Sequence, residues 1–111
     1  MRVSVLVHEV LQDGRFVVTS NCREDIPQGW AFTTMSARTG EVVQGEYRVA
    51  EEAPAEPIQL LLGDIETWRK PWPCIPYGHH AAVRFEGRGV VELTAYLVGH
   101  PRPWIVVVHG E

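Results

Sequence analysis

The chain has 111 residues, 45% of them hydrophobic and 22% charged, with a formal net charge of −4 at pH 7. This length allows one domain with a buried core but not two ordinary domains, so we predict a single domain over residues 1–111. The acidic balance disfavours generic nucleic-acid binding, because negative charge repels phosphates. No apolar run is long enough to span a bilayer and no export signal is visible, which predicts a soluble, cytoplasmic protein without a membrane partner.

Apolar residues alternate with polar residues along most of the chain, which is the period of half-buried β-strands. A hairpin is predicted over residues 2–19, with Asp13-Gly14 as its tight turn. Residues 23–29 contain Pro27 and Gly29 and predict a loop. A third strand is expected over residues 30–35.

The middle of the chain has the weakest strand pattern. Thr39-Gly40 predicts a turn, and short strands are expected at residues 42–43 and 47–49. The acidic, proline-containing stretch 51–57 predicts a mobile loop within the domain. A long strand is predicted over residues 58–68, with a bulge or bend at Gly63-Asp64.

The last third of the chain is divided by a proline-rich segment, residues 71–78, which cannot lie in the interior of a β-ladder. Further strands are predicted over residues 80–85, 90–98 and 104–108, with turns between them. No window shows a sustained apolar stripe at helical spacing, so no helix is predicted. Six to seven short strands joined by turns predict an all-β fold, a small closed Greek-key-type β-barrel.

Two segments together resemble the second domain of the translational GTPases, the β-barrel of elongation factor Tu and its relatives. In residues 10–35, the resemblance lies in Val17-Val18-Thr19, the charged run 23–25 and Gly29. In residues 60–87, it lies in a strand ending in the stretch 65–70 and in three later positions, Gly78, Val83 and Gly87. The resemblance implies a six-stranded barrel.

The sequence also departs from that family. It contains no GxxxxGK[ST] phosphate loop, so the barrel would be free-standing, without a nucleotide-hydrolysing domain. The loop at residues 24–28 is one residue short, and the chain continues beyond Gly87, where the family's domain ends. In the family this barrel contacts the acceptor end of aminoacyl-tRNA or ribosomal RNA. No residue here matches a binding motif closely enough to inherit that role.

Residues 68–77 form the most informative stretch for function. They combine aromatic and cationic side chains around rigid prolines, in Trp68, Arg69, Lys70, Trp72 and Tyr77. Such a composition is typical of protein hot spots and of platforms for single-stranded nucleic acid. Alternatively, the tryptophans close one end of the barrel and the cations are only solvated. A second loop of similar composition contains Arg102 and Trp104, and the sequence leaves open whether the two loops are neighbours.

Histidines and cysteines offer a second candidate site. Cys74 precedes the adjacent His79 and His80, but this spacing is not that of a known zinc motif, and adjacent strand residues point to opposite faces. Further candidate ligands are His8, His100 and His109. A thiol nucleophile at Cys74 would need a histidine base with an orienting group, which the sequence does not supply nearby. Like Cys22, Cys74 is therefore expected to be an inert thiol, and two cysteines are too few for a disulfide scaffold.

A carboxylate pair is a weaker possibility. Asp64 and Glu66 share one face of a predicted strand, which is a spacing compatible with acid–base chemistry. A polar outer strand face is the commoner explanation for such a pair.

We therefore expect a non-catalytic binding module without a cofactor or bound metal. It would recognise a protein, and less readily RNA, through residues 68–77 with help from Arg102 and Trp104. The acidic stretch 51–56 favours a basic partner surface. Two alternatives stay open. One is a small metal- or thiol-dependent enzyme using Cys74, His79 and His80, and the other is a structural homo-oligomer subunit whose edge strand, residues 104–108, pairs with a second copy.

Overall fold

The computed structural model describes residues 2–111, and over that range it contains nine β-strands and one α-helix. In chain order these are β1 (Val3–Val10), β2 (Phe16–Ser20), β3 (Ile26–Pro27), β4 (Ala31–Val43), β5 (Glu46–Thr67), β6 (Lys70–Trp72), β7 (Cys74–Ile75), β8 (His80–Glu86), α1 (Gly89–Gly99) and β9 (Ile105–Gly110).

Six of these strands pair in a ring. The order is β4-β9-β1-β2-β8-β5, and β5 pairs back with β4, with every pairing antiparallel. β6 adds a short seventh strand beside β5, while β3 and β7 form a separate two-stranded sheet. The all-β, barrel-like fold predicted from the alternating pattern is confirmed.

The core fills the inside of this ring. Val3, Val5 and Val7 of β1 are at most 3% exposed, whereas the residues between them are partly exposed. Phe85 packs against both Phe16 and Phe32, with ring centroids 5.4 and 5.7 Å apart. Removal of this apolar surface from water is the main stabilising term of the fold. The alternation in the sequence therefore separates the inner face of the ring from its outer face.

The strand predicted over residues 90–98 is wrong, because this segment forms α1. The side of α1 that packs on the core carries Gly89, Val90, Leu93, Tyr96 and Leu97. Val91 and Val98 are 78% and 77% exposed, and these two outward apolar side chains obscured the helical stripe in the sequence. Gly89 allows the helix to approach β5 closely, since a Cβ there would collide with the Ile58 side chain and the Gln59 backbone.

The turn predicted at Thr39-Gly40 is also wrong, since both residues lie inside β4. The chain reverses instead at Gln44-Gly45, where the φ angles are 53° and 80°. Gly40 occupies a strand position because the Tyr47 ring covers it and leaves no space for a Cβ.

The stretch 51–57, predicted as a mobile loop, belongs to β5. Glu51 and Glu52 pair with Thr39 and Arg38 of β4. Pro54 falls where the register shifts between Ala53 and Glu56, so its missing N–H interrupts no regular ladder position. The long partner strand β4 holds this segment in place, and no local residue pattern reports that partner.

Two further local predictions are confirmed. Gly14 has a φ of 86° in the turn between β1 and β2. The bend expected at Gly63-Asp64 coincides with a register shift between Leu62 and Ile65 in the pairing of β5 with β8.

β9 is an interior strand of the ring, paired with β1 on one side and β4 on the other. Edge pairing of residues 104–108 with a second copy is therefore wrong, because the backbone groups of this strand already have partners. Over residues 2–111, no helix combines the length and apolarity needed to cross a bilayer.

Docking of α1 is tested by Leu93→Ala. Leu93 is fully buried, so the truncation should lower the free energy of unfolding by about 2–5 kcal/mol through lost burial and the cavity left behind. Val91→Ala, on the solvent side of the same helix, should change it by less than about 0.5 kcal/mol. Urea denaturation measures both, and equal effects of the two substitutions would contradict the packing of α1 described above.

Candidate functional site

The aromatic loop, residues 68–77, begins with a strained two-residue turn between β5 and β6. Thr67 pairs with Lys70, and Trp68 and Arg69 between them have φ angles of 50° and 62°. Two consecutive positive φ angles define a hairpin turn that favours Asn and Gly, because bulky L residues meet steric strain there. Backbone strain of this kind concentrates at functional sites, where the side chains serve a purpose other than folding.

Trp68 is presented to solvent on an aromatic support. Its side chain is 61% exposed. The ring makes edge contacts with Trp72 and His79, at centroid distances of 5.1 and 5.0 Å. Trp72 in turn packs against the core. The exposed indole therefore rests against the half-buried Trp72 and the exposed His79.

A shallow depression lies beside Trp68 on the outer face of the ring. Val17, Ala82 and Glu66 stand in register across β2, β8 and β5, and the small Ala82 leaves the middle of this row low. The depression has a volume of about 360 Å³, and Trp68 and His80 are among its lining residues. We call it the outer groove.

The outer groove continues into a second depression of about 610 Å³, with which it shares Glu66 and Ala82. Here Arg15 joins two carboxylates, with Nε 2.7 Å from Asp13 Oδ2 and Nη1 3.2 Å from Glu66 Oε1. Hydrogen bonds donated by the Arg15 backbone and guanidinium lower the pKa of Asp13. Arg84 donates to the Asp13 carbonyl at 3.0 Å. Ion pairs therefore occupy this end of the groove.

The structure brings four of the predicted partner-binding residues into one hairpin, in which Arg69 and Lys70 are exposed beside Trp68 and Trp72. Tyr77 is 56% exposed, and its backbone N–H donates to Asp25 Oδ1 at 2.7 Å. This bond ties the end of the aromatic loop to the segment before β3.

Arg102 and Trp104 lie in the loop before β9, whereas the aromatic loop precedes β8. In the sheet, β1 and β2 stand between these two strands. Trp104 is partly buried and makes an edge contact with His100, at 5.1 Å between centroids. Arg102 is exposed, and its charge acts on His8. The structure therefore does not place Trp104 beside Trp68.

A chain of three polar side chains crosses the outer face next to the outer groove. Thr19 Oγ1 of β2 lies 2.6 Å from His8 Nε2 of β1 and 2.6 Å from His80 Nδ1 of β8. The two imidazole centroids are 5.9 Å apart. Burial, followed by the charges of His80 and Arg102, lowers the pKa of His8. In the sequence, 72 positions separate the two histidines, so only the strand order could have paired them.

Cys74, His79 and His80 do not converge on one centre. His79 contacts Trp68, His80 contacts Thr19, and Cys74 lies in the small β3–β7 sheet. Burial, followed by the charge of Asp25, raises the pKa of the Cys74 thiol, which keeps it protonated near neutral pH. Within residues 2–111, no group of three or more His, Cys, Asp or Glu side chains is arranged to hold a metal ion.

The remaining candidate ligands are engaged separately. His100 Nδ1 is 2.9 Å from the Tyr96 carbonyl oxygen, at the end of α1. His109 Nε2 is 3.3 Å from Ser36 Oγ, on the outer face of β9 and β4. Burial, followed by the charges of Arg2 and Arg38, lowers the pKa of His109. Cys22 and Cys74 are both free thiols.

Comparison of the sequence with protein-family models, with curated proteins and with solved structures found no match. The resemblance to the second domain of elongation factor Tu therefore stays a prediction that rests on the residues quoted for it.

Strain at the aromatic turn is tested by Arg69→Gly. Glycine accepts the φ of 62° without a steric penalty, so the substitution should raise the free energy of unfolding by about 0.5–1 kcal/mol after allowing for glycine's greater backbone entropy when unfolded. Gly45→Ala, in the other hairpin turn with a φ of 80°, should lower it by about 1 kcal/mol. A loss of stability in Arg69→Gly would show that the turn is unstrained.

The pKa of His109 predicts a pH effect on stability. Because the folded state lowers this pKa, the unfolded chain binds the proton more readily, and stability should fall as the pH drops from about 7 to 5. His109→Gln should reduce that fall, measured by urea denaturation at both pH values. Ser36→Ala keeps the imidazole of His109 and should therefore retain the full fall in stability. An unchanged fall in His109→Gln would exclude His109 as a contributor.

Proposed function

We propose that the chain is a non-catalytic protein-binding module whose recognition surface is centred on Trp68. The observation that carries this proposal is the presentation of an exposed tryptophan, 61% accessible, on a turn where both central residues have positive φ angles. Tryptophan and arginine are the residues most enriched among interface hot spots. Both occur here side by side, at a position where Asn and Gly would fold with less strain.

The support beneath Trp68 favours tight binding. Edge contacts to Trp72 and His79 restrict the indole before any partner arrives, so less side-chain entropy is lost on association. The outer groove lies directly beside it and offers a depression into which a partner side chain fits. Arg69 and Lys70 add a positive rim that selects complementary charge.

A protein fits this surface better than RNA does. In the continuation of the outer groove, Arg15 is paired with the carboxylates of Asp13 and Glu66, so its charge is not free to bind a phosphate backbone. The chain as a whole carries a net charge of −4. Glu51, Glu52 and Glu56 are exposed along β5, so a partner with basic regions would approach favourably.

The proposal includes a free-standing barrel of the type found as the second domain of elongation factor Tu. Support comes from the resemblance in residues 10–35 and 60–87 and from the ring of six antiparallel strands. An enzymatic role is not proposed, because Cys74, His79 and His80 point to separate surroundings.

Trp68→Ala tests the proposal in a capture experiment from lysate of the source cell, with quantitative mass spectrometry as the measurement. Val91→Ala is the matched control, because Val91 is 78% exposed on α1, away from the aromatic loop. At least one protein recovered by the wild type and by Val91→Ala should fall about tenfold or more with Trp68→Ala, as expected for a hot-spot tryptophan.

Ribonuclease treatment of half of each lysate separates the two partner classes. A partner bound directly is recovered equally with and without the treatment, whereas loss after the treatment would indicate binding through RNA. Equal recovery of every protein by Trp68→Ala and the wild type would contradict a recognition surface centred on Trp68. We expect Trp68→Ala to be as stable as the wild type in urea denaturation. That result shows that a loss of binding does not reflect unfolding.

A further inference from the structure

Three adjacent strands of the ring aim polar side chains at one point on the outer face. His8, Thr19 and His80 belong to β1, β2 and β8, which are consecutive neighbours in the sheet. His8 Nε2 and His80 Nδ1 each lie 2.6 Å from the same Thr19 oxygen, so one hydroxyl brings the two nitrogens close together. Both histidines are exposed, so solvent and ions reach them freely.

The distance between the two imidazoles is close to the distance between two imidazoles that bind the same metal ion. With metal–nitrogen bonds of about 2.1 Å and tetrahedral angles, two imidazoles on one ion have ring centroids about 5 Å apart. Here the centroids are 5.9 Å apart and the planes are tilted by 53°. Small rotations of two exposed side chains close this difference without any movement of the strands.

A β-bulge lies at His8 in β1. The pairing of β1 with β2 shifts register between Val7 and Glu9, and from His8 onward the alternation of buried and exposed residues gives way to three exposed residues in succession. Bulges re-aim side chains and are over-represented beside functional sites. His8 lies on the same face of β1 as Leu6, the register partner of Thr19, and reaches the Thr19 hydroxyl diagonally.

Charges of both signs lie near the two histidines. Arg102, from the loop before β9, and Glu9, in the same bulge, act on His8 in opposite directions. The opposing charge of Glu9 offsets part of the repulsion that Arg102 would exert on a cation. The Thr19 hydroxyl and water would complete the coordination, and the positions held by water would stay exchangeable.

We propose that His8 and His80 form a surface site for a first-row divalent transition-metal ion. Imidazole nitrogen suits Zn²⁺, Ni²⁺ and Cu²⁺, whereas Mg²⁺ and Ca²⁺ require oxygen ligands. This site differs from the Cys74, His79 and His80 combination suggested by sequence proximity. It shares His80 with the lining of the outer groove, but metal binding is measured without any protein partner. With two protein ligands it binds reversibly, unlike a closed structural site.

Isothermal titration of Zn²⁺ into the untagged full chain at neutral pH tests the proposal. The wild type should bind one Zn²⁺ per chain, and Mg²⁺ under the same conditions should give no binding. His8→Gln and His80→Gln should each weaken Zn²⁺ binding by about tenfold or more, since each removes one of two ligands. His79→Gln is the matched control and should stay within about threefold of the wild type.

Three results would overturn the site: no saturable Zn²⁺ binding by the wild type, wild-type affinity in His8→Gln, or loss of binding in His79→Gln. Circular dichroism of each variant confirms that the fold persists, which is expected because all three histidines are exposed. NMR supplies an independent readout in the wild type, where Zn²⁺ should shift the imidazole signals of His8 and His80 but leave those of His100 and His109 in place.

Discussion

Closure of the sheet through β4 is the constraint on which the rest of the molecule depends. β4 pairs with β9 over Thr34–Arg38 and with β5 along most of its length, so it joins the two ends of the six-stranded sheet. Where strands of the ring have neighbours on both sides, no sheet edge is free for strand addition. Recognition on that part of the molecule must then use side chains of the outer face and the loops at the ends of the strands.

The same closure brings distant residues together and separates others that are similar in composition. His8 and His80 meet because β2 stands between their strands, with Thr19 linking them. The two aromatic, basic loops precede β8 and β9, and β1 and β2 stand between these strands in the sheet. Of the two, the loop with Trp68 exposes its tryptophan, whereas Trp104 is partly buried against the end of α1.

The sequence was most informative where one residue determines local geometry, and least informative where a distant partner does. Gly14 and the bend at Gly63-Asp64 are local features, and both were predicted correctly. The sequence does not predict the helix α1, because Val91 and Val98 are apolar yet exposed and interrupt the helical spacing of its apolar residues. The stretch 51–57 becomes a strand only through its pairing with β4. Trp68 was recognised from composition, but the positive φ angles beneath it and the His8–Thr19–His80 chain depend on the fold.

The central claim is that Trp68 stands preformed on a strained turn in the free protein. The most direct test is the intraresidue amide-to-Hα NOE at Trp68 and Arg69, which is strong when φ is positive because the two protons are then close. The account predicts NOEs as strong as that of Gln44, whose φ of 53° is similar. Weak NOEs at Trp68 and Arg69, like those of the strand residues on either side, would contradict it.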